Sequence, residues 1–318
     1  MGLILILTNS CKKEEDKGQM PVITTIDVIR ITTYTATSGG DITSDGGTTV
    51  TARGVCWSIE QNPTIDDSKT TNGSGSGSFI SDINGLTSGK IYHVRAFATN
   101  SVGTAYGLDR SFTTFRSDAI TDIDGNYYNI ITIDSQTWLE ENLKTTRYRN
   151  GDLIGTTTPA TLDISAEVTP KYQWAYNGSE SNVAAYGRLY TWYAVTDIRN
   201  VCPTGWNVPT DAEWDLLLTI LGGDDVAGGK LKETGLTHWT TPNTGATNET
   251  GFTALPGGAR TDFESHTFLA IDTVGVWWNS TESDETLAPI RYMSWNNTGV
   301  YRHFRNKEEG LSVRCLRD

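Results

Sequence analysis

Between Thr286 and Lys307 the chain carries Arg291, Arg302, Arg305 and Lys307 without a single acid, and Tyr292, Trp295, Tyr301, His303 and Phe304 are interleaved with them. Guanidinium groups beside aromatic rings suit anionic or hydroxyl-rich ligands, through bidentate hydrogen bonds and stacking. Asn296-Asn297-Thr298-Gly299 has turn chemistry, so a hairpin is expected here. It would place Arg291, Met293 and Trp295 on one face and Tyr292, Ser294 and Asn296 on the other. The candidate binding surface is Arg291, Tyr292, Trp295, Asn296, Tyr301, Arg302 and Arg305, bordered by Asn279, Ser280 and Glu282. The competing expectation is that these bases neutralise the chain's own carboxylates and the aromatics are core.

Other chemistries find less support. No C-x-x-C, H-E-x-x-H, Walker loop or G-x-S-x-G occurs, and the four His and four Cys are scattered rather than paired as zinc ligands are. Asp122, Asp124 and Asn126 fall at calcium-loop spacing, but Tyr127 stands where such a loop needs glycine and Ile133 where it needs glutamate. No metal and no cofactor is expected. His238 and His266 lack a second ligand nearby in sequence and read as ordinary polar residues. The formal net charge of −13 argues against nucleic acid as a partner and against general adsorption to an anionic membrane.

The elements that must position these residues divide the 318-residue chain into two parts beyond a short leader. Residues 21–116 are rich in Thr, Ser, Gly and β-branched residues with no sustained helical period, which predicts an all-β domain. Thr49 to Val55 and Tyr92 to Ala98 alternate as strands, and Asn72 to Gly77 reads as a flexible turn. His93 and Arg95 read as a solvated strand face, and Cys56 as a buried thiol. Residues 117–318 hold nine of the ten Trp and most of the negative charge. Thr210-Asp211-Ala212-Glu213 predicts a capping box, followed by an apolar stripe of Trp214, Leu217, Leu218 and Leu221 up to Gly222-Gly223. A second helix is predicted over Ala184–Val195. Trp277-Trp278 and the pairs Gly228-Gly229 and Gly257-Gly258 read as framework, the glycines in turns.

Three resemblances add to this reading. Leu3 to Leu7, then Thr8-Asn9-Ser10-Cys11 and the charged run Lys12 to Asp16, resemble the end of a bacterial lipoprotein signal and the tether of surface lipoproteins in the Bacteroidetes. That implies residues 1–20 are a truncated signal and tether, a reading frame extending upstream of Met1, and lipidation at Cys11. The implied address is the outer membrane or cell surface, with the membrane reached through the lipid anchor alone. In such an oxidising compartment two of the remaining cysteines should pair, and Cys202 and Cys315 share the later domain. The stretch Leu86 to Asn100 resembles the fibronectin type III signature, which implies a β-sandwich with Tyr92 as tyrosine corner and Leu86 in the core, serving as a spacer.

The third resemblance covers about residues 118–318. The phrases Ser135 to Lys144, Tyr186 to Val195, Cys202 to Asp211, Gly228 to Glu233, Gly251 to Gly258, Trp277 to Glu282 and Gly310 to Asp318 resemble, in order, the Fibrobacter succinogenes major paralogous domain. That resemblance implies an α+β, C-type-lectin-like fold and a module binding glycan or protein ligands at the cell surface. Trp295-Asn296-Asn297 is similar to the Trp-Asn-Asp of calcium-dependent lectins, but the aspartate is missing and no Glu-Pro-Asn precedes it, so a calcium-held sugar is not expected. Catalysis is not expected, because Cys202 and Cys315 lie in framework phrases and no carboxylate pair stands out. A purely structural surface protein is the alternative.

Overall fold

A computed structural model describes residues 18–261 and 266–318; Cys11 lies outside them. The chain forms two compact units that divide between Ser117 and Asp118. Among the described residues no helix is long and apolar enough to cross a membrane.

The first unit is all β: β1 (Val22–Thr25), β2 (Ala36–Ser44), β3 (Ala52–Ser58), β4 (Ser68–Lys69), β5 (Gly77–Ile83), β6 (Ile91–Thr99), β7 (Thr104–Tyr106) and β8 (Arg110–Thr113). One sheet has the order β1-β2-β5, and the other runs β4-β3-β6, with β7 and β8 both pairing β6. Alternation decides the packing: Phe79, Ser81 and Ile83 of β5 point inward while Ser78, Ile80 and Asp82 point out. Val55, Val94, Ala96, Ile42, Phe112 and Leu86 share the resulting core. The Tyr92 hydroxyl accepts a hydrogen bond from the Thr87 N–H at 3.0 Å, closing the expected tyrosine corner beside buried Leu86. Cys56 is a buried free thiol. Two expectations change. The Asn72 to Gly77 loop is anchored, because the Arg53 guanidinium donates to the carbonyls of Asn72, Gly75 and Ser76 at 3.1, 3.1 and 2.9 Å. His93 and Arg95 are half-buried and engaged, His93 with Asp109 at 3.1 Å and Arg95 over the Tyr106 ring at 4.7 Å.

The second unit is also mostly β, with short strands: β9 (Ile120–Thr121), β10 (Tyr127–Tyr128), β11 (Ile130–Ile133), β12 (Gln136–Leu139), β13 (Gln173–Trp174), β14 (Leu189–Tyr190), β15 (Trp206–Asn207), β16 (Gly257–Arg260), β17 (Phe268–Ile271), β18 (Val274–Trp278), β19 (Leu287–Ser294), β20 (Tyr301–Asn306) and β21 (Leu316–Arg317). Its helices are α1 (Val183–Tyr186), α2 (Trp192–Val195), α3 (Asp211–Ile220) and α4 (Asp224–Leu231). Carboxy-terminal β21 lies between β12 and β15, so the end of the chain pairs with the start of the unit. Cys202 and Cys315, bonded as a disulfide, lock that closure.

Sheet β18-β19-β20 separates two cores. Adjacent Trp277 and Trp278, both fully buried, point to opposite faces and fill one core each. α3 starts on the full Thr210–Glu213 capping box and seats Trp214, Leu217 and Leu218 in the Trp277 core. The helix expected over Ala184–Val195 is instead α1, β14 and α2. Gly187 breaks it: its φ of 74° is left-handed, and a Cβ there would stand 2.7 Å from the Asn142 Cβ. Gly228 and Gly229 lie inside α4 rather than in a turn, where a Cβ would meet the Gly299 carbonyl at 2.3 Å and the Gly245 carbonyl at 2.6 Å. Gly257 and Gly258 open β16.

Candidate functional site

The hairpin expected from the sequence is β19 and β20, and β20 is the sheet's outer strand. Its tip is clamped to α4. Thr298 Oγ1 donates to the Asp225 carbonyl at 2.7 Å, and the Gly229 N–H donates to the Thr298 carbonyl at 2.9 Å. Lys232, fully buried, donates from Nζ to the carbonyls of Thr244, Ser294 and Asn297 at 3.0, 3.0 and 2.8 Å. Burial pulls this ammonium down to about 8.

The candidate residues separate into two groups. Arg291 is interior, with 1% of its side chain exposed, and its Nη2 donates to Asp211 Oδ1 at 2.7 Å and Asp215 Oδ1 at 2.5 Å. This corrects the expectation of a surface arginine: a guanidinium on the Met293 face must enter the core, and α3 supplies the carboxylates that compensate it. Asn279 is also buried, donating from Nδ2 to Asp211 Oδ1 at 3.1 Å. Ser280 is half-buried behind it and bonds the Pro209 carbonyl through its N–H at 2.9 Å. Glu282 is exposed, yet its Oε1 is held by Lys307 Nζ at 2.6 Å. Lys307 is itself buried, 4.4 Å from the Trp192 ring centre, and so neutralises one of the chain's own carboxylates, as the competing expectation held. Trp295 is half-buried against the Trp277 core. Asn296, exposed, accepts from Ser294 Oγ at 2.9 Å.

The second group stays at the surface. All of Tyr301, Arg302, His303, Phe304 and Arg305 are exposed, five consecutive residues of one strand. Tyr292 and Tyr301 rings lie 5.4 Å apart across the pair. Arg302 reaches Asp211 Oδ2 through Nε at 2.7 Å and lies 4.6 Å over the Phe304 ring. Its two terminal nitrogens make no hydrogen bond among the described residues, and it stays 40% exposed. Among the described residues, the carboxylate nearest Arg305 is Glu309 at 3.9 Å, beyond a hydrogen bond. Carboxylates therefore fold onto part of the basic run, as the competing expectation held, while two guanidinium forks and three rings remain open to solvent.

Sequence reasoning missed Asp211 and Asp215. They are four apart on α3, so they share a helix face, and that spacing was the available signal. It also missed Asn142, whose Oδ1 accepts from Trp277 Nε1 at 2.8 Å and from Arg314 Nε and Nη2 at 3.2 and 3.0 Å. The Asn142 Nδ2 donates to the Tyr186 carbonyl at 2.9 Å, so one side chain ties four of the quoted phrases together. Asp122 is spent as a turn acceptor, taking Asp124 N, Asn126 N and Tyr128 Oη at 2.9, 2.9 and 2.7 Å. Among the described residues no cluster of three His, Cys, Asp or Glu side chains is placed to hold a metal. A cleft of about 180 Å³ beside the disulfide is lined by Asp122, Ile123, Arg149 and Cys202, and Arg149 is occupied by the carbonyls of Cys202, Pro203 and Trp206.

Solved structures similar to parts of the chain include fibronectin-type domains. The fourth FNIII domain of a human protein is 16% identical, over 37% of this chain and 94% of that one, with a TM-score of 0.26. The third fibronectin III domain of the human KIAA0343 protein is 18% identical, over 35% of this chain and 93% of that one, at 0.24. The sensor domain of the anti-sigma factor RsgI4 in Pseudobacteroides cellulosolvens is 14% identical, over 30% of this chain and 95% of that one, also at 0.24. No curated protein matches the chain. The Fibrobacter succinogenes major domain matches residues 131–317, which takes in the hairpin, the disulfide and the Asn142 hub. By that match, over more than half of its length, the chain belongs to the Fibrobacter succinogenes major domain family.

Proposed function

We propose that this chain is an exported surface module that binds an anionic or hydroxyl-rich ligand, glycan or protein, on the outer strand of its second unit. The observation that carries the reading is β20, where Tyr301, Arg302, His303, Phe304 and Arg305 are exposed together on a hairpin whose tip is fixed by α4 and Lys232. A rigid support under open guanidinium and aromatic groups suits recognition, because little ordering entropy is lost on binding. The pairing of β21 with β12, and α3 packed on the sheet, support an α+β lectin-like fold for this unit. The sandwich would act as a spacer, and lipidation at Cys11 would anchor the chain at the outer membrane or cell surface. The reading is of a binding module rather than an enzyme.

The test is binding to a sulfated oligosaccharide and to an acidic protein, by titration calorimetry in 50 and 500 mM salt. Arg302→Ala and Arg305→Ala should each weaken binding about three- to tenfold, and salt should weaken it further. Binding that ignores both substitutions and salt would refute the reading.

A further inference from the structure

The backbone register of β20 leaves its outer edge open at Arg302 and Phe304, between Val300, whose N–H donates to the Asp224 carbonyl at 2.8 Å, and Asn306, whose carbonyl accepts from the Glu309 N–H at 2.9 Å. Pro289 of β19 pairs with Phe304, and proline has no N–H to donate, so this is a non-hydrogen-bonded pair. By alternation Tyr301, His303 and Arg305 turn their backbone groups toward β19, while Arg302 and Phe304 turn theirs outward. The Lys307 N–H, which donates to the Thr286 carbonyl at 2.9 Å, fixes the same parity. Of the four outward groups of Arg302 and Phe304, the Phe304 carbonyl accepts from His303 Nδ1 at 2.8 Å. The other three, the N–H and C=O of Arg302 and the N–H of Phe304, meet no protein partner among the described residues. Two residues apart on a strand is about 6.6 Å, the spacing of alternate residues in an added strand.

We infer that β20 recruits an extended acidic polypeptide segment, which adds to the sheet as a fourth strand along Arg302 and Phe304. This rests on the binding reading above and names the ligand class. Side-chain chemistry selects the occupant. The residues of the incoming segment that bond the edge project beside Arg302 and Phe304, where an apolar side chain covers the exposed ring. The alternate residues project beside Tyr301, His303 and Arg305, where a carboxylate meets the Arg305 guanidinium. A second copy of this chain is disfavoured, since pairing β20 with itself would gather four guanidinium groups along one short edge. The chain's overall charge of −13 does not oppose this local preference, because Tyr301–Asn306 carries no carboxylate of its own and Asp211 engages Arg302 through Nε alone.

The experiment uses the full chain and a capped octapeptide alternating valine with aspartate or glutamate. Two methylated isomers of equal charge accompany it, one N-methylated at the valines and one at the acids. Only the valine amides face the edge in the proposed pose, so valine methylation should weaken binding about tenfold or more and acid methylation less than about threefold. Phe304→Pro removes one outward donor and costs no native ladder bond. It should weaken the parent peptide by a similar factor while the unfolding midpoint of the second unit stays close to the parent's. Equal binding of the two isomers overturns the inference even if Phe304→Pro fails to fold. So does absence of peptide binding at about 1 mM, or peptide-induced dimerisation in sedimentation. If a heparin oligosaccharide binds where the peptide does not, only this inference falls. If neither binds, the reading under Proposed function falls with it.

Discussion

Asn142 is the side chain on which the second unit should depend most visibly, and Asn142→Leu isolates its role because the volume is nearly kept and all its hydrogen bonds are lost. Trp277 Nε1, fully buried, would lose its acceptor at 2.8 Å, and the Tyr186 carbonyl its donor at 2.9 Å. Arg314 would lose contacts at 3.2 and 3.0 Å but keep the carbonyls of Leu139, Glu140 and Phe252. Each buried group left unpaired costs about 1–3 kcal/mol, and the partial loss at Arg314 belongs at the low end, so the sum is about 3–7 kcal/mol. Against a total of about 5–15 kcal/mol for a domain, that is a large fraction. With a urea slope of about 2–3 kcal/mol/M, the midpoint should fall by about 1–3.5 M. Tryptophan fluorescence reads this unit selectively, since nine of the ten Trp lie within it. A double-mutant cycle with Trp277→Phe should show a coupling of about 1 kcal/mol or more. A midpoint shift below about 0.3 M with unchanged slope would refute the claim that this residue holds the phrases together.

Reducing the Cys202–Cys315 bond, or replacing both by serine, releases a crosslink between residues 113 apart and should cost up to about 4–5 kcal/mol; an unchanged urea midpoint under reductant would contradict this. Lys232 titrates near 8 in the fold against 10.5 ordinarily, so the unfolded chain binds the extra proton between those values. Its contribution to stability should therefore rise with pH from about 8 to 10.5 and be flat below, and Lys232→Met should remove that rise. Denaturation curves at pH 7, 8, 9 and 10 check this, and an identical pH dependence in both proteins would refute it. Burial pushes the Cys56 thiol up to about 11, so iodoacetamide at pH 8 should leave it unmodified in the native protein; labelling at the rate of a free peptide thiol would contradict its burial.

What the sequence discloses here is what is local. The capping box and stripe of α3 depend on residues within a few positions of each other, and both were legible. So was the hairpin at Asn296 to Gly299, because turn chemistry is short-ranged. The helix over Ala184–Val195 was misread because its apolar period is real but Gly187 answers to Asn142, a neighbour in space alone. Arg291 and Asp211 are 80 positions apart, and only the fold reveals that one neutralises the other. A hint existed in the strand alternation, which put Arg291 on the same face as Met293 and so toward the interior. Lys232 gave no such hint, since the carbonyls that hold it, one from Thr244 and two from the β19–β20 hairpin at Ser294 and Asn297, lie 12 to 65 positions away.

The claim that the open edge of β20 is the recognition surface is tested most directly by residue-resolved amide hydrogen exchange across Tyr301–Asn306, with and without a saturating acidic strand peptide. In the free protein the amides of Arg302 and Phe304 should exchange fast, while those of Tyr301, His303 and Arg305, turned toward β19, should be protected. Saturation should slow Arg302 and Phe304 to the rates of their neighbours. Protection of both amides in the free protein, or fast exchange that persists at both while the peptide is bound, would contradict the account.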